Sequence, residues 1–243
     1  SEDIMKNELY KKYVTDIVAD ADNYMVVNGN MKKSVMSLGR KNCNIVPNFI
    51  DCSRYSLKSK KDNKYFTLLN MSNFYKVKAV DVLLKALDIV INKYNVKDIR
   101  LNIVGTGEYK DDYMNISNEL KLHKYVEFLG YIHNDKIPEV ISNIDVLCVS
   151  STFETFCIPI IEAFASGRPV ISTKCNGPME IVNKDNGILV EINDVEEYAK
   201  AIVNMKSNYN KYNKKDIREY AISKYDKSSV CKNIIKICED TIN

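Results

Sequence analysis

Between two apolar runs, the chain carries the sequence Phe153-Glu-Thr-Phe-Cys-Ile-Pro-Ile-Ile-Glu-Ala-Phe-Ala-Ser-Gly-Arg-Pro-Val170. The preceding run, Ile144 to Val149, predicts a fully buried strand, and Pro159 is typical of the first turn of a helix, where its missing amide hydrogen is not needed. Glu154 then lies on the loop after the strand, and Glu162 lies about one turn into the helix. The sequence therefore places two carboxylates, separated by seven residues, around the start of one helix.

On this interpretation, the two carboxylates would lie where an α/β protein binds a ligand. In an open α/β sheet, ligands bind beyond the carboxyl ends of the strands, and the backbone amides at the following helix start favour an anion such as a pyrophosphate. Ionised carboxylates only accept hydrogen bonds, so Glu154 and Glu162 suit a ligand rich in hydroxyl groups, such as a ribose or a hexose. The alternative is that Glu154 is a solvated loop charge and Glu162 complements the helix dipole.

Strands and helices alternate along the rest of the chain. From Tyr65 onward, short apolar runs are separated by segments such as Val80 to Ile91, in which apolar residues recur at helical spacing. The alternation predicts an α/β fold with a Rossmann-like parallel sheet, helices on both faces and right-handed crossovers. The lysine-rich run 56–64 predicts an exposed linker. The predicted strands are Tyr24–Val27, Cys43–Val46, Tyr65–Leu69, Leu101–Val104, Val126–Leu129, Ile144–Val149, Val170–Thr173 and Ile188–Val190.

Composition sets outer bounds on function. The chain has 243 residues, of which 45% are hydrophobic, enough for one large or two small domains with a core. Its net charge of +3 is close to neutral, so we expect no nucleic-acid partner. Seven cysteines without metal-ligand spacing favour a reduced, cytoplasmic chain. Because no long apolar stretch or signal-peptide pattern is present, any membrane contact is expected to be peripheral.

The run from Asp145 to Val190 resembles the donor-binding half of retaining GT-B glycosyltransferases of family 4. The matching segments are Ser150-Ser151, Glu154-Thr-Phe156, Ile161-Glu-Ala-Phe-Ala-Ser-Gly-Arg-Pro-Val170, Gly177-Pro-Met-Glu180 and Asn186-Gly-Ile-Leu-Val190. The resemblance implies the C-terminal, Rossmann-like half of a GT-B fold, preceded by a remnant of the N-terminal domain. Residues 51–243 would form the donor-binding domain with its C-terminal helices, and residues 1–50 the tail of the acceptor domain and the crossover.

The resemblance also implies roles for individual residues. Glu162 would bind the ribose hydroxyls, Glu154 the transferred sugar, and Lys78 the donor diphosphate as a compact point charge. Lys78 is alternatively one of many surface lysines, with Lys76 as its rival if the register shifts. The diphosphate seat would be completed by the backbone amides of Phe156, Cys157 and Ile158. Thr155 and Cys157 stand where glycines are common in the family, and Ala79 follows Lys78 where the family has a Lys-Gly pair. The Cys157 thiol is expected to be packed instead of acting as a nucleophile.

Other implied donor contacts follow the ends of neighbouring strands. Ser72 and Asn73 stand where Gly-Arg is usual, which removes a bidentate grip on phosphate. Gly105 and Gly107 end a strand, so their backbone can approach the ligand closely, although an ordinary turn explains them equally well. Ile132 lies beyond the next strand, where family members often contact the nucleotide base through backbone groups.

The implied enzyme is a hexosyltransferase of polysaccharide biosynthesis that uses a UDP- or GDP-sugar and retains configuration. It would need neither a cofactor nor a metal, because cationic side chains and helix amides neutralise the leaving diphosphate. The spacing of Asp20-Ala-Asp22 is interpreted as a coincidence. The acceptor would be a glycan or a lipid-linked glycan. The enzyme would lie in the cytoplasm or at the inner face of the membrane, touching it peripherally through the N-terminal domain.

Two alternatives remain from the sequence. A nucleotide-sugar epimerase or hydrolase of GT-B fold would share the diphosphate seat. A non-catalytic donor-domain subunit would need a partner chain, because most of an acceptor domain is absent from this sequence. Catalysis by this fold takes place between two domains, so the chain is expected to be part of a longer enzyme or half of a split one.

Overall fold

The computed structural model describes residues 12–17, 21–39, 42–61 and 64–242. Asp20 of the Asp20-Ala-Asp22 motif and two residues of the predicted linker, Asp62 and Asn63, lie outside these ranges. The chain divides into two compact units, one of residues 49–227 and one drawn from residues 1–48 and 228–243. The predicted assignment of residues 1–50 to an acceptor domain remains a prediction.

The smaller unit contains a two-stranded parallel sheet. Its strands are β1 (Tyr24–Val26) and β2 (Cys43–Ile45), and helix α1 (Gly29–Ser37) connects them. The side chain of Asn28 caps α1 by accepting a hydrogen bond of 2.7 Å from the Met31 amide. Both predicted strands of this region are therefore confirmed.

The larger unit is built on six parallel strands. They are β3 (Phe66–Met71), β4 (Ile99–Val104), β5 (Val126–Gly130), β6 (Val146–Val149), β7 (Val170–Thr173) and β8 (Gly187–Val190). Their order across the sheet is β5-β4-β3-β6-β7-β8. The connecting and following helices are α2 (Val80–Asn92), α3 (Lys110–Glu119), α4 (Ile137–Ser142), α5 (Ile158–Ala165), α6 (Asn176–Ile181), α7 (Val195–Ser207) and α8 (Lys214–Tyr225). Helix α9 (Lys227–Ile242) belongs to the smaller unit from residue 228 onward. The predicted Rossmann-like parallel sheet is confirmed.

The strand order reverses between β3 and β6. The chain runs from β3 outward to β4 and β5, then returns to place β6 on the other side of β3. At such a switch point the loops leaving the two central strands diverge and open a crevice, which is where open α/β sheets bind ligands. The loops after Met71 and Val149 border this crevice.

The core lies where α2 and α7 cover the central strands. The α2 side chains Val80, Leu83 and Leu87 are fully buried, as their spacing predicted. Tyr198 of α7 is also fully buried, and its hydroxyl lies 3.2 Å from the Val149 carbonyl oxygen and 3.0 Å from that of Ile171. The packing fixes the carboxyl ends of β6 and β7, from which functional loops extend.

The linker departs from its prediction at one lysine. Lys60 is only 8% exposed, and its ammonium donates to the Asp145 carboxylate and to the Tyr65 carbonyl. Asp145 also accepts from the Thr67 amide at 2.7 Å. A lysine in a polar run is buried here because a carboxylate at the amino end of β6 compensates its charge.

Two glycines let the loops after β3 and β4 cross at van der Waals distance. A Cβ atom on Gly105 would lie 1.9 Å from the carbonyl oxygen of Ser72, and one on Gly107 would lie 2.8 Å from the backbone of Phe74. The Phe74 amide donates to the Thr106 carbonyl at 2.9 Å, which locks the crossing. The glycines therefore have a packing role that is independent of any ligand.

Replacing Gly105 with alanine should destabilise the fold far more than the same change at Gly130. Gly130 also has a positive φ, +68°, but a Cβ atom added there would meet nothing within 4 Å, so only backbone strain of about 1–2 kcal/mol is expected. Gly105→Ala adds the clash with Ser72, a further 1–3 kcal/mol or so. Urea denaturation measures both variants, and equal losses would show that the crossing tolerates a side chain.

Candidate functional site

An ion pair between Lys78 and Glu154 lies at the switch point. Lys78 ends a 3-10 turn just before α2, and Glu154 lies on the loop after β6. The ammonium Nζ is 2.7 Å from Glu154 Oε1, and the two side chains are 21% and 14% exposed. The Ser151 hydroxyl donates to the same oxygen at 2.9 Å. The structure thus brings together a predicted diphosphate-binding cation and a predicted sugar-binding carboxylate.

Backbone contacts between the two loops set the position of Lys78. The Thr152 amide donates to the Val77 carbonyl at 2.8 Å, and the Ser150 hydroxyl donates to the Lys78 carbonyl at 3.0 Å. The rival lysine, Lys76, is exposed. The loop after β6 therefore holds the end of the 3-10 turn and directs Lys78, not Lys76, into the ion pair with the loop carboxylate.

The helices on both sides of the crevice begin at a residue in the left-handed conformation. Ala79 has φ +44° before α2, and Cys157 has φ +75° before α5. Glycine adopts this conformation without steric cost, whereas other residues lose about 1–2 kcal/mol. Both positions are ones where the sequence resemblance predicts glycine, so the local backbone is kept although the residue differs.

The start of α5 presents backbone amides to the crevice. Among the described residues, no acceptor receives a hydrogen bond from the amides of Phe156, Cys157 or Ile158, as is usual for the first turn of a helix. The loop beneath them is fixed because the Gly177 amide donates to the Glu154 carbonyl at 2.9 Å. Burial raises the pKa of the Cys157 thiol well above its ordinary value, which suits a packed thiol and not a nucleophile.

Glu162 is buried on α5 and faces a different partner. The residue is 8% exposed, and its Oε1 accepts a hydrogen bond of 2.7 Å from the hydroxyl of Tyr55, which is 2% exposed. Burial raises the pKa of the Glu162 carboxyl, while the hydrogen bond from Tyr55 and the charge of Arg54 oppose that rise. Sequence reasoning did not find Tyr55, because no local pattern links two residues 107 positions apart.

The remaining predicted site residues lie on the loops after β3, β4 and β5. Ser72 is half-buried and donates to Asn70 Oδ1 at 3.1 Å, while Asn73 beside it is exposed. Ile132 follows β5 on a loop whose Asn134 carbonyl accepts from the Arg54 guanidinium at 2.8 Å. The loop of Ile132 is therefore tied to the segment that carries Tyr55, on the Glu162 side. Gly105 and Gly107 pack against the loop after β3.

Among the described residues, the cysteine and acidic side chains form no metal-binding cluster. All seven cysteines are free thiols, five of them buried. Within the described ranges, no group of three or more His, Cys, Asp and Glu side chains is arranged to hold a metal ion. A search of the same ranges finds no helix with the length and apolar character needed to cross a bilayer.

Comparison with known sequences points to a single family. The family model described as "Glycosyl transferases group 1" matches residues 53–224. The N-acetyl-alpha-D-glucosaminyl L-malate synthase of Bacillus anthracis is 30% identical over 128 residues, which cover 52% of this chain and 32% of that protein. A lipopolysaccharide core biosynthesis glycosyltransferase of Rhizobium meliloti is 29% identical over 136 residues, or 56% of this chain and 38% of that protein. The match thus spans less than half the length of either relative.

Solved structures share the fold. Anabaena HepE in complex with UDP and glucose has a TM-score of 0.83 and 20% identity, with 96% of this chain and 68% of that one covered. The sucrose-phosphate synthase of Thermosynechococcus elongatus has a TM-score of 0.84 and 18% identity, with 97% and 62% covered. The fold is accordingly that of the C-terminal half of GT-B proteins.

Replacing Glu162 with glutamine should stabilise the protein in a pH-dependent way. Because the folded-state pKa of Glu162 is raised, the folded wild-type protein binds more protons than the unfolded one, and its stability falls as pH rises through that window. A neutral amide that still accepts from Tyr55 avoids this loss. We expect the free energy of unfolding to rise by roughly 1–2 kcal/mol at pH 8, which is the scale for relieving a poorly compensated buried polar group. The gain should disappear as the pH falls toward ~4.3, the pKa of a glutamate in the unfolded chain.

Chemical denaturation at pH 5, 6.5 and 8 checks this gain. Glu108→Gln is the control, since Glu108 is exposed and its substitution should stay within about 0.5 kcal/mol at each pH. A Glu162→Gln protein that is less stable than the wild type at pH 8 would show that the carboxylate is better compensated than its surroundings indicate.

Proposed function

The chain belongs to the glycosyl transferases group 1, and on that premise we propose that it carries the nucleotide-sugar site of a glycosyltransferase. The enzyme transfers a hexose, with retention of configuration, to a glycan or a lipid-linked acceptor. The observation that carries the proposal is the Lys78–Glu154 pair at the switch point, 2.7 Å apart and next to the first-turn amides of α5. A cation, backbone amides and a carboxylate are the groups that a sugar diphosphate needs.

The diphosphate binds between Lys78 and the start of α5. A lysine ammonium has three donors, so Lys78 can bind a phosphate oxygen and keep its hydrogen bond to Glu154. The amides of residues 156–158 and the positive end of the α5 dipole add to the attraction for the anion. This preorganised positive potential stabilises the leaving diphosphate without a metal ion.

The two carboxylates bind different hydroxyl groups of the donor. Glu154 Oε1 already accepts from Lys78 and Ser151, so Oε2 serves the hydroxyls of the transferred sugar. Glu162 accepts from the ribose hydroxyls, and the backbone near Ile132 lies at the base. Neither carboxylate acts as a nucleophile; the acceptor attacks from the face of the leaving phosphate, which helps to remove its proton.

The loop after β3 makes this donor site less basic than the family pattern. Ser72 and Asn73 offer a hydroxyl and an amide where a guanidinium is usual, so Lys78 carries the side-chain charge toward the phosphates. The donor is a UDP- or GDP-sugar, with UDP supported by the UDP named in the Anabaena HepE complex. The enzyme acts in the cytoplasm or at the inner face of the membrane.

Titration calorimetry with UDP, GDP, ADP and their glucose conjugates tests the donor site. We expect saturable binding of a UDP or GDP ligand, weakened at least tenfold by Lys78→Ala, because a hydrogen bond to a charged group contributes about 1.5–3 kcal/mol. Lys76→Ala is the matched control, since this exposed neighbour should leave the affinity unchanged. Glu162→Ala should weaken the binding of nucleotide with and without sugar.

Glu154→Gln separates sugar binding from nucleotide binding. It should reduce transfer by the full-length enzyme more than it weakens UDP affinity, because the transferred sugar loses a charged acceptor while the amide oxygen of the glutamine can still accept from Lys78 and Ser151. Donor consumption without an acceptor would instead favour an epimerase or hydrolase. Failure of every nucleotide to bind would favour a non-catalytic subunit completed by a partner chain.

A further inference from the structure

We propose that Tyr55 is a positioning residue of the donor site, whose hydroxyl holds one oxygen of Glu162 so that the other is presented to the ribose. The inference rests on the proposed donor function and adds to it a residue outside the run from Asp145 to Val190. Tyr55 lies between the 3-10 turn Cys52–Arg54 and the linker, 107 positions before Glu162.

The contact is buried and directional. The Tyr55 hydroxyl is 2.7 Å from Glu162 Oε1, and the two residues are 2% and 8% exposed. A carboxyl group at the end of a glutamate rotates in a broad energy well, so without a donor its plane is poorly fixed. A phenolic donor on Oε1 sets the plane and leaves Oε2 as the acceptor toward the ligand.

Tyr55 is itself held by helix α8. The guanidinium of Arg218 donates to the Tyr55 carbonyl at 2.7 Å and to the Cys52 carbonyl at 3.2 Å. It also donates to the carbonyl of Ala165, at the end of the helix that carries Glu162. One guanidinium therefore links two carbonyls of the Tyr55 segment to the carboxyl end of α5.

A second anchor fixes the beginning of the same segment. Asp226, which follows α8, accepts from the Cys52 amide at 3.0 Å, and the Ile50 amide donates to the Tyr225 carbonyl at 3.0 Å. These contacts hold the Tyr55 segment independently of Glu162. The hydroxyl is thus placed in advance of ligand binding, which is the property that reduces the ordering cost of binding.

The same contact sets how nucleotide binding responds to pH. Burial raises the pKa of Glu162, and Tyr55 and Arg54 lower it. On helix α8, the Arg218 guanidinium lies against the Tyr55 segment and donates to three backbone carbonyls. Burial also raises the pKa of Tyr55, so its hydroxyl remains a donor throughout the neutral range. An ionised Glu162 accepts hydrogen bonds from the ribose better than a protonated one. The affinity for the nucleotide therefore falls as the pH drops through the pKa of Glu162.

The test is UDP affinity by calorimetry from pH 5 to 9 in the wild type and in Tyr55→Phe. Removing the hydroxyl moves the loss of UDP affinity at acid pH to a higher pH. We therefore expect Tyr55→Phe to bind UDP about tenfold more weakly than the wild type near pH 6, which is the scale of one hydrogen bond to a charged group. The difference in affinity should be smaller at pH 9. Tyr220→Phe is the matched control, because its hydroxyl on α8 donates to the Ile181 carbonyl instead. Its pH profile should match the wild type.

Two further measurements guard against a general structural effect of Tyr55→Phe. In a Glu162→Gln background, which has no titrating carboxyl, Tyr55→Phe should no longer change the pH profile. In the ligand-free protein, the carbon-13 carboxyl resonance of Glu162, assigned from Glu162→Gln, should titrate at a higher pH in Tyr55→Phe.

The outcomes separate the two proposals. If the wild type binds UDP or GDP and Tyr55→Phe reproduces its pH profile and its Glu162 titration, the positioning role is wrong and the donor function stands. If the wild type binds neither nucleotide, the donor function is wrong and the positioning role with it. A shift that persists in the Glu162→Gln background would also overturn the positioning role, because the effect would not pass through the carboxylate.

Discussion

The parallel pairing of β3 with β6 is the contact on which the larger unit depends. Leu68 pairs with Val146 and Leu69 with Leu147, and this short ladder joins the two halves of the sheet where the strand order reverses. Because the chain moves to opposite sides from these two strands, their carboxyl-end loops separate and leave a crevice. The Thr152–Val77 hydrogen bond then fixes the loop spacing, so that a lysine from one half meets a carboxylate from the other.

The two carboxylates near the start of α5 lie in different surroundings, although they are close in sequence. Glu154 is compensated by an ammonium and a hydroxyl, whereas Glu162 is buried with one neutral donor on Oε1. One short stretch of sequence thereby supplies two hydrogen-bond acceptors in different electrostatic surroundings. The left-handed Ala79 and Cys157 show that this region also retains backbone strain, as functional sites commonly do.

The sequence predicts the strands, the order of elements and the loop that carries Glu154, because these depend on local periodicity and on residues such as Pro159. It also favours Lys78 over Lys76, and Lys78 is the lysine that pairs with Glu154, while the role of Lys78 in binding diphosphate stays a prediction. It misses the burial of Lys60 and the contact of Tyr55 with Glu162. Both depend on polar partners far along the chain, and a polar residue carries no periodic sign of whether it is compensated after folding.

The chain enters and leaves the larger unit at one place. Ile50 and Asp226 form a parallel bridge, the Lys227 amide donates to the Ile50 carbonyl at 2.9 Å, and Asp51 forms an ion pair with Lys227. A module whose two ends are adjacent can be inserted into, or exchanged within, a host chain without displacing the host's own termini. Residues 49–227 can therefore be gained, lost or exchanged as one cassette in a single recombination event, because the neighbouring chain has to accommodate only one junction.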